Sequence, residues 1–116
     1  MLTRSAKSKG RRLQQWVREE LRCKYAGTDA VGLEAGDIEC TMMGESGRDI
    51  KLSPSAEKTI PFDIECKNTE TASPWAWMEQ AKENTKPGRI PLVVFKRNKS
   101  DVYCMLKFED LLKVTK

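Results

Sequence analysis

Residues 60–67, Ile-Pro-Phe-Asp-Ile-Glu-Cys-Lys, constrain this chain more than any other stretch. Phe62, Ile64 and Cys66 alternate with Asp63, Glu65 and Lys67, and a period of two is the signature of a strand with unlike faces. One face is apolar and the other is entirely charged. A chain that contains Ile60–Lys67 needs a core on one side of a sheet and a use, or solvent, for three charges on the other.

The remaining pattern supplies that core. Between Gly10 and Lys24, Leu13, Trp16, Val17 and Leu21 fall on one helical face, with Arg11, Arg18 and Arg22 opposite. Tyr25–Gly36 reads as loop, with glycines at 27, 32 and 36. Asp37–Met43 is an expected strand, Gly44–Gly47 a turn, Asp49–Leu52 a short strand and Ser53–Thr59 a polar connection. Thr71 or Ser73 can cap a helix from Pro74 to about Thr85, with proline in its first turn. Ile90–Lys96 (IPLVVFK) is apolar enough for a central strand. Arg97–Ser100 turns into a last strand, Asp101–Leu106, and Phe108–Val114 closes as a short helix. The expected fold is α/β: a central mixed five-stranded sheet flanked by helices, in the order α-β-β-β-α-β-β with a final short helix.

Composition narrows the function. At 116 residues, 39% hydrophobic and 33% charged, the chain reads as one soluble domain (10–116) behind a flexible basic arm (1–9). No apolar run approaches the roughly 20 residues of a membrane span, and MLTRSAKSKGRR has no apolar stretch to serve as a secretory signal. The expected setting is the cytoplasm, with no membrane partner. Cys23, Cys40, Cys66 and Cys104 form no C-x-x-C pair and there is no histidine, which argues against a common zinc site, histidine-based nucleases and Ser-His-Asp hydrolases. The cysteines are expected reduced and buried. The net charge of +4 is uneven: residues 1–24 carry eight Lys/Arg against Glu19 and Glu20, and the remainder is slightly acidic. Such a basic end suits an anionic partner, most often nucleic acid.

Glu65 and Lys67, two apart on a strand, leave the same face. Asp49 opens the preceding short strand, and pairing can bring its carboxylate beside Glu65. Two such carboxylates repel and call for a divalent cation; oxygen ligands suit Mg2+ or Mn2+, and the Cys66 carbonyl could add another oxygen. A metal there polarises a phosphodiester and activates water, while Lys67 stabilises the developing negative charge or helps orient and deprotonate that water.

These motifs resemble the PD-(D/E)XK nuclease superfamily, and within it archaeal-type Holliday junction resolvases and related small phage endonucleases. The resemblance runs from Lys9-Gly10-Arg11-Arg12-Leu13-Gln14 through Gly44-Glu-Ser46-Gly47-Arg48-Asp49-Ile50 and Ile64-Glu65-Cys66-Lys67 to Trp77-Met-Glu-Gln80-Ala. It implies a restriction-endonuclease-like fold, Asp49 and Glu65 as metal ligands, Lys67 as catalytic residue, Ser46 at the scissile phosphate and Gln80 as support. One position departs: the helix carboxylate of the resolvases falls on Gln14, and Glu20, placed by periodicity with Leu13 and Val17, is the alternative. The resemblance further implies a homodimer acting on four-way DNA junctions in recombination; Trp75, Trp77 and Met78 could serve a dimer surface. Arg4, Lys7, Lys9, Arg11 and Arg12, with Lys96, Arg97 and Lys99 on the late hairpin, would neutralise phosphates. A flap or nicking nuclease with the same site, a restriction-type enzyme and a catalytically inactive nucleic-acid-binding module remain alternatives.

Overall fold

The computed structural model describes residues 4–27, 32–42, 45 and 47–115, and of residues 4 and 5 the backbone alone. Helix α1 (Arg4–Tyr25) is followed by a 3-10 turn (Ala35–Asp37), strands β1 (Ile38–Cys40) and β2 (Ile50–Leu52), helix α2 (Pro54–Thr59), strand β3 (Phe62–Asn68), helix α3 (Pro74–Glu83), strands β4 (Ile90–Lys96) and β5 (Tyr103–Met105), and helix α4 (Phe108–Val114).

The α/β class is as expected, but the sheet is not one piece. β1 and β2 form an antiparallel pair, Ile38 opposite Leu52 and Cys40 opposite Ile50. β3, β4 and β5 form a separate sheet. In it, β3 and β4 run parallel from Phe62–Ile90 to Asn68–Lys96, and β5 pairs antiparallel with β4. Asp49 interrupts the expected continuation. Its backbone N–H donates to the Ile64 carbonyl at 2.9 Å, but its side chain, not a neighbouring strand's carbonyl, accepts the next outward N–H, that of Cys66, at 2.7 Å. A carboxylate thus takes the place of a ladder bond. Both sheets still share one core, in which Leu13 and Val17 of α1 meet Ile38, Ile50, Leu52, Ile64, Cys66, Leu92 and Val94.

Three other differences have local causes. α1 begins at Arg4 and not at Gly10, so residues 4–9 of the expected arm are helical; Ala6, Lys7 and Lys9 favour a helix, and one glycine lowers its stability by only about 1 kcal/mol. Ser53–Thr59 is not an irregular connection. The Ser53 side chain accepts from the Ala56 N–H at 3.1 Å, Pro54 sits at the first helical position and Ala56 is buried, so cap and proline start a helix too short to show a periodicity. The four cysteines are free as expected, but Cys66 is the only buried one; Cys40 is half-buried and Cys23 and Cys104 are exposed. No helix among the described residues is long and apolar enough to cross a membrane.

Candidate active site

The charged face of β3 does not face water. α3 and the segment after it reach this face, Gln80 at Lys67, Asn84 at Glu65 and the Lys86 N–H at Asp63, and Asp63 and Glu65 are 2% and 3% exposed. Burying carboxylates is costly unless each finds partners, and the two find different ones.

Asp63 is fully engaged. It pairs with the Arg48 guanidinium, accepts from Arg89 Nε at 2.6 Å and accepts from the Lys86 backbone N–H at 3.0 Å. Arg89 also donates to the carbonyls of Glu57, Ile60 and Phe62 at 2.8, 2.6 and 2.9 Å, fixing the entry to β3. Glu57 joins through Arg48 Nη2 at 3.1 Å and Lys86 Nζ at 2.9 Å, and these contacts, Lys86 foremost, hold its carboxyl below the ordinary range.

Glu65, two residues on, forms no ion pair among the described residues, and the charge of Lys67 only partly offsets its burial. Its Oε1 accepts from Asn84 Nδ2 at 2.8 Å, and its carboxyl lies in hydrogen-bond contact with that of Asp49. Burial raises both groups above the usual carboxylate range; the Asp49 charge adds to the effect on Glu65, which is pushed up to about 7. For Asp49 the Cys66 N–H, the Glu65 carboxyl, Lys67 and the Gln14 side chain act in the opposite direction. Lys67 Nζ donates to Gln80 Oε1 of α3 at 2.7 Å, a neutral partner that holds the ammonium group without cancelling its charge.

The site expected from sequence is thus gathered from four places: Gln14 on α1, Asp49 before β2, Glu65 and Lys67 on β3, and Gln80 on α3. Ser46 lies outside the described residues. Glu20 is exposed and lines an apolar groove with Trp16, Lys24, Tyr25 and Phe62, away from the carboxylate pair. Lys7, Arg11, Arg12, Arg97 and Lys99 are exposed, and Lys9 and Lys96 half-buried; the side chain of Arg4 lies outside the described part. Of the expected dimer residues, Trp75 is 87% exposed, whereas Trp77 packs on Phe95 with ring centroids 5.9 Å apart. Asn84 was not anticipated, since an asparagine ending a helix reads as a simple stop signal.

Among the described residues no group of three or more His, Cys, Asp or Glu side chains is arranged to hold a metal. The pair nevertheless suits a small hard cation, which is commonly bound through one or two carboxylates with water and substrate phosphate completing its shell. The Cys66 N–H points to Asp49, and in an extended strand the carbonyl of the same residue leaves by the same edge, so a third oxygen is directed to that side.

Paired acids with a lysine two residues beyond the second, on an α/β sheet, define a class of nucleic-acid-cutting site, the PD-(D/E)XK type. The family model described as "phage putative PDDEXK endonuclease" matches residues 5–116. The chain belongs to this family and is thereby a member of the PD-(D/E)XK nucleases. No curated protein and no solved structure matches it.

Proposed function

We propose that this protein is a divalent-metal-dependent, structure-selective DNA endonuclease, a Holliday junction resolvase that works as a homodimer in phage DNA recombination in the host cytoplasm. The observation that carries the reading is the contact between the Asp49 and Glu65 carboxyls, paired with no arginine among the described residues and flanked by Lys67. Asp49, Glu65 and the Cys66 carbonyl would hold Mg2+ or Mn2+, which when bound supplies phosphate polarisation and a more acidic water.

The chain's own residues do the rest. Gln14 and the Cys66 N–H orient Asp49. Asn84 fixes one oxygen of Glu65, leaving the other for the pair. Lys67, steadied by Gln80, stabilises negative charge as it builds on the phosphate. Ser46 would contact the scissile phosphate, and Arg4, Lys7, Lys9, Arg11, Arg12, Lys96, Arg97 and Lys99 would neutralise phosphates on either side. A second copy of the chain is favoured by exposed apolar surface: Trp75 on α3, and Phe108, Leu111, Leu112 and Val114 on α4.

The test is cleavage of a labelled four-way junction beside linear duplex and flap, with and without Mg2+, by wild type and Glu65→Ala. Paired symmetric cuts that need both Mg2+ and Glu65 support the resolvase. Preference for flaps or duplex keeps the site and changes the substrate; no metal-dependent cutting of any substrate turns the reading to an inactive DNA-binding module.

A further inference from the structure

β3 carries the candidate site at its middle, and basic groups gather beyond both ends. At the C-terminal end, Asn68 Nδ2 donates to the Lys9 carbonyl at 3.3 Å and the Thr69 N–H donates to the Lys96 carbonyl at 3.2 Å. The start of α1 and the end of β4, both proposed above as phosphate contacts, therefore meet there. The other end opens on a separate cleft of about 160 Å³ beside β2 and the α3–β4 connection, whose lining includes Thr41, Glu45, Arg48, Lys51, Asn84 and Lys86. This cleft adjoins the acids: Asn84 in its wall holds Glu65 at 2.8 Å, and Arg48 immediately precedes Asp49.

The charges facing the cleft are not equivalent. Arg48 is committed to Asp63 and Glu57, with its side chain only 10% exposed. Lys51 and Lys86 have side chains 63% and 57% exposed. Their partners are replaceable: Lys51 lies 3.9 Å from Glu45, and Lys86 contacts Glu57 at 2.9 Å, which Arg48 Nη2 also satisfies at 3.1 Å. The exposed Lys51–Glu45 pair is weak and exchanges readily, and Glu57 keeps Arg48 when Lys86 turns to an anion. Glu45 is the one acid of the lining among the described residues, and an anion entering the cleft would displace it from Lys51.

We propose that this cleft seats a backbone phosphate of the DNA strand being cut, held by Lys51 and Lys86, so that the strand lies along β3 with basic contacts on both sides of the acids. The assignment rests on the nuclease reading. Asn84 both lines the cleft and holds Glu65 at 2.8 Å, which sets the seat beside the acids.

The experiment is the salt dependence of DNA binding by the full chain in metal-free buffer, measured by fluorescence anisotropy on a labelled four-way junction. The Lys51→Ala/Lys86→Ala variant is compared with wild type and with Lys58→Ala, an exposed lysine outside the cleft. Loss of two phosphate contacts makes the plot of log K against log salt shallower by about two, one for each lysine. Lys58→Ala keeps the wild-type slope, and Lys51→Arg/Lys86→Arg restores it. Circular dichroism checks the fold, and Lys51→Ala alone, with a change of about one, carries the test if the double variant does not fold. Equal slopes for wild type and the alanine variants, with DNA bound by all, overturn the phosphate seat and leave the nuclease reading in place. Absence of both binding and cleavage in wild type overturns the nuclease reading, and the seat with it.

Discussion

Asp63 and Glu65 stand on the same face of the same strand, nearly inaccessible at 2% and 3% exposure, yet their environments are opposites. Around Asp63 are two guanidinium groups and a backbone N–H; around Glu65 are an amide and a second acid. The first arrangement is complete as it stands, whereas the second concentrates negative charge and is complete only with a proton or a cation. Burial by itself therefore does not separate a structural carboxylate from a functional one. The separation lies in whether the surrounding charges cancel.

Substitutions at the two sites should fail in different ways. The largest effect is expected on cleavage: Asp49→Ala, Glu65→Ala and Lys67→Ala each lower the rate by roughly a thousandfold or more, on the scale of removing a transition-state-stabilising group, while junction binding persists. Anisotropy and single-turnover cleavage measure the two separately, and wild-type cutting by either carboxylate variant would sink the site assignment.

Asp63→Ala should act on the fold. It removes the buried acid that Arg48 and Arg89 share, with side chains 10% and 9% exposed, and leaves two guanidinium groups with Glu57 as their one acid among the described residues; breaking a buried pair costs about 3–5 kcal/mol. Urea unfolding checks it. A loss below about 1 kcal/mol would remove the contrast, since exposed pairs fall in that range.

The pH response sharpens the comparison further. In the metal-free chain the Glu65 carboxyl moves from an ordinary 4.5 to about 7 on folding. Between those values the native state holds a proton that the unfolded chain has released, so stability declines as pH rises from about 4.5 toward about 7. Thermal midpoints of wild type across this window should fall relative to Glu65→Gln, which has no such proton, and added Mg2+ should recover part of the loss. Parallel curves for the two proteins would contradict the uncompensated pair. The smallest effect belongs to the orienting amide: Gln14→Ala should reduce cleavage by about tenfold, equivalent to one hydrogen bond of roughly 1.4 kcal/mol, and Glu20→Ala should be silent. The reverse pattern would move the helix contribution to Glu20.

Much of this was legible in the sequence because it depends on local pattern. Alternation from Phe62 to Lys67 marked the strand and put Glu65 and Lys67 on one side, and the apolar run at Ile90–Lys96 marked its parallel neighbour. The order of secondary elements followed, apart from the two-turn helix at Pro54–Thr59, which is too short to display a period. What could not be read depended on distance. The alternation gave the charged face of β3 either a use or solvent, and nothing in residues 60–67 says that Asn84 and the Lys86 N–H will close over it. Arg48, Glu57 and Arg89 are spread over 42 positions, and only the folded chain shows that the two arginines converge on Asp63 and that Glu57 joins them. Asp49 looked like the first residue of a strand in a continuous sheet; its side chain instead takes a ladder position, which joins the site and divides the sheet in one step.

Cys66 gives that junction a clock. Its thiol is buried, and burial raises it well above the range of a free cysteine, so the native chain offers little thiolate to an alkylating reagent. Labelling there must await a transient opening of β3 away from α1, while Cys23 and Cys104 react at the surface. The rate at Cys66 thus reads the opening frequency of the strand that bears Glu65 and Lys67. A cation or DNA strand that binds only the closed form will slow that rate in proportion to its occupancy, and one native thiol can follow the assembly of the site without any engineered probe.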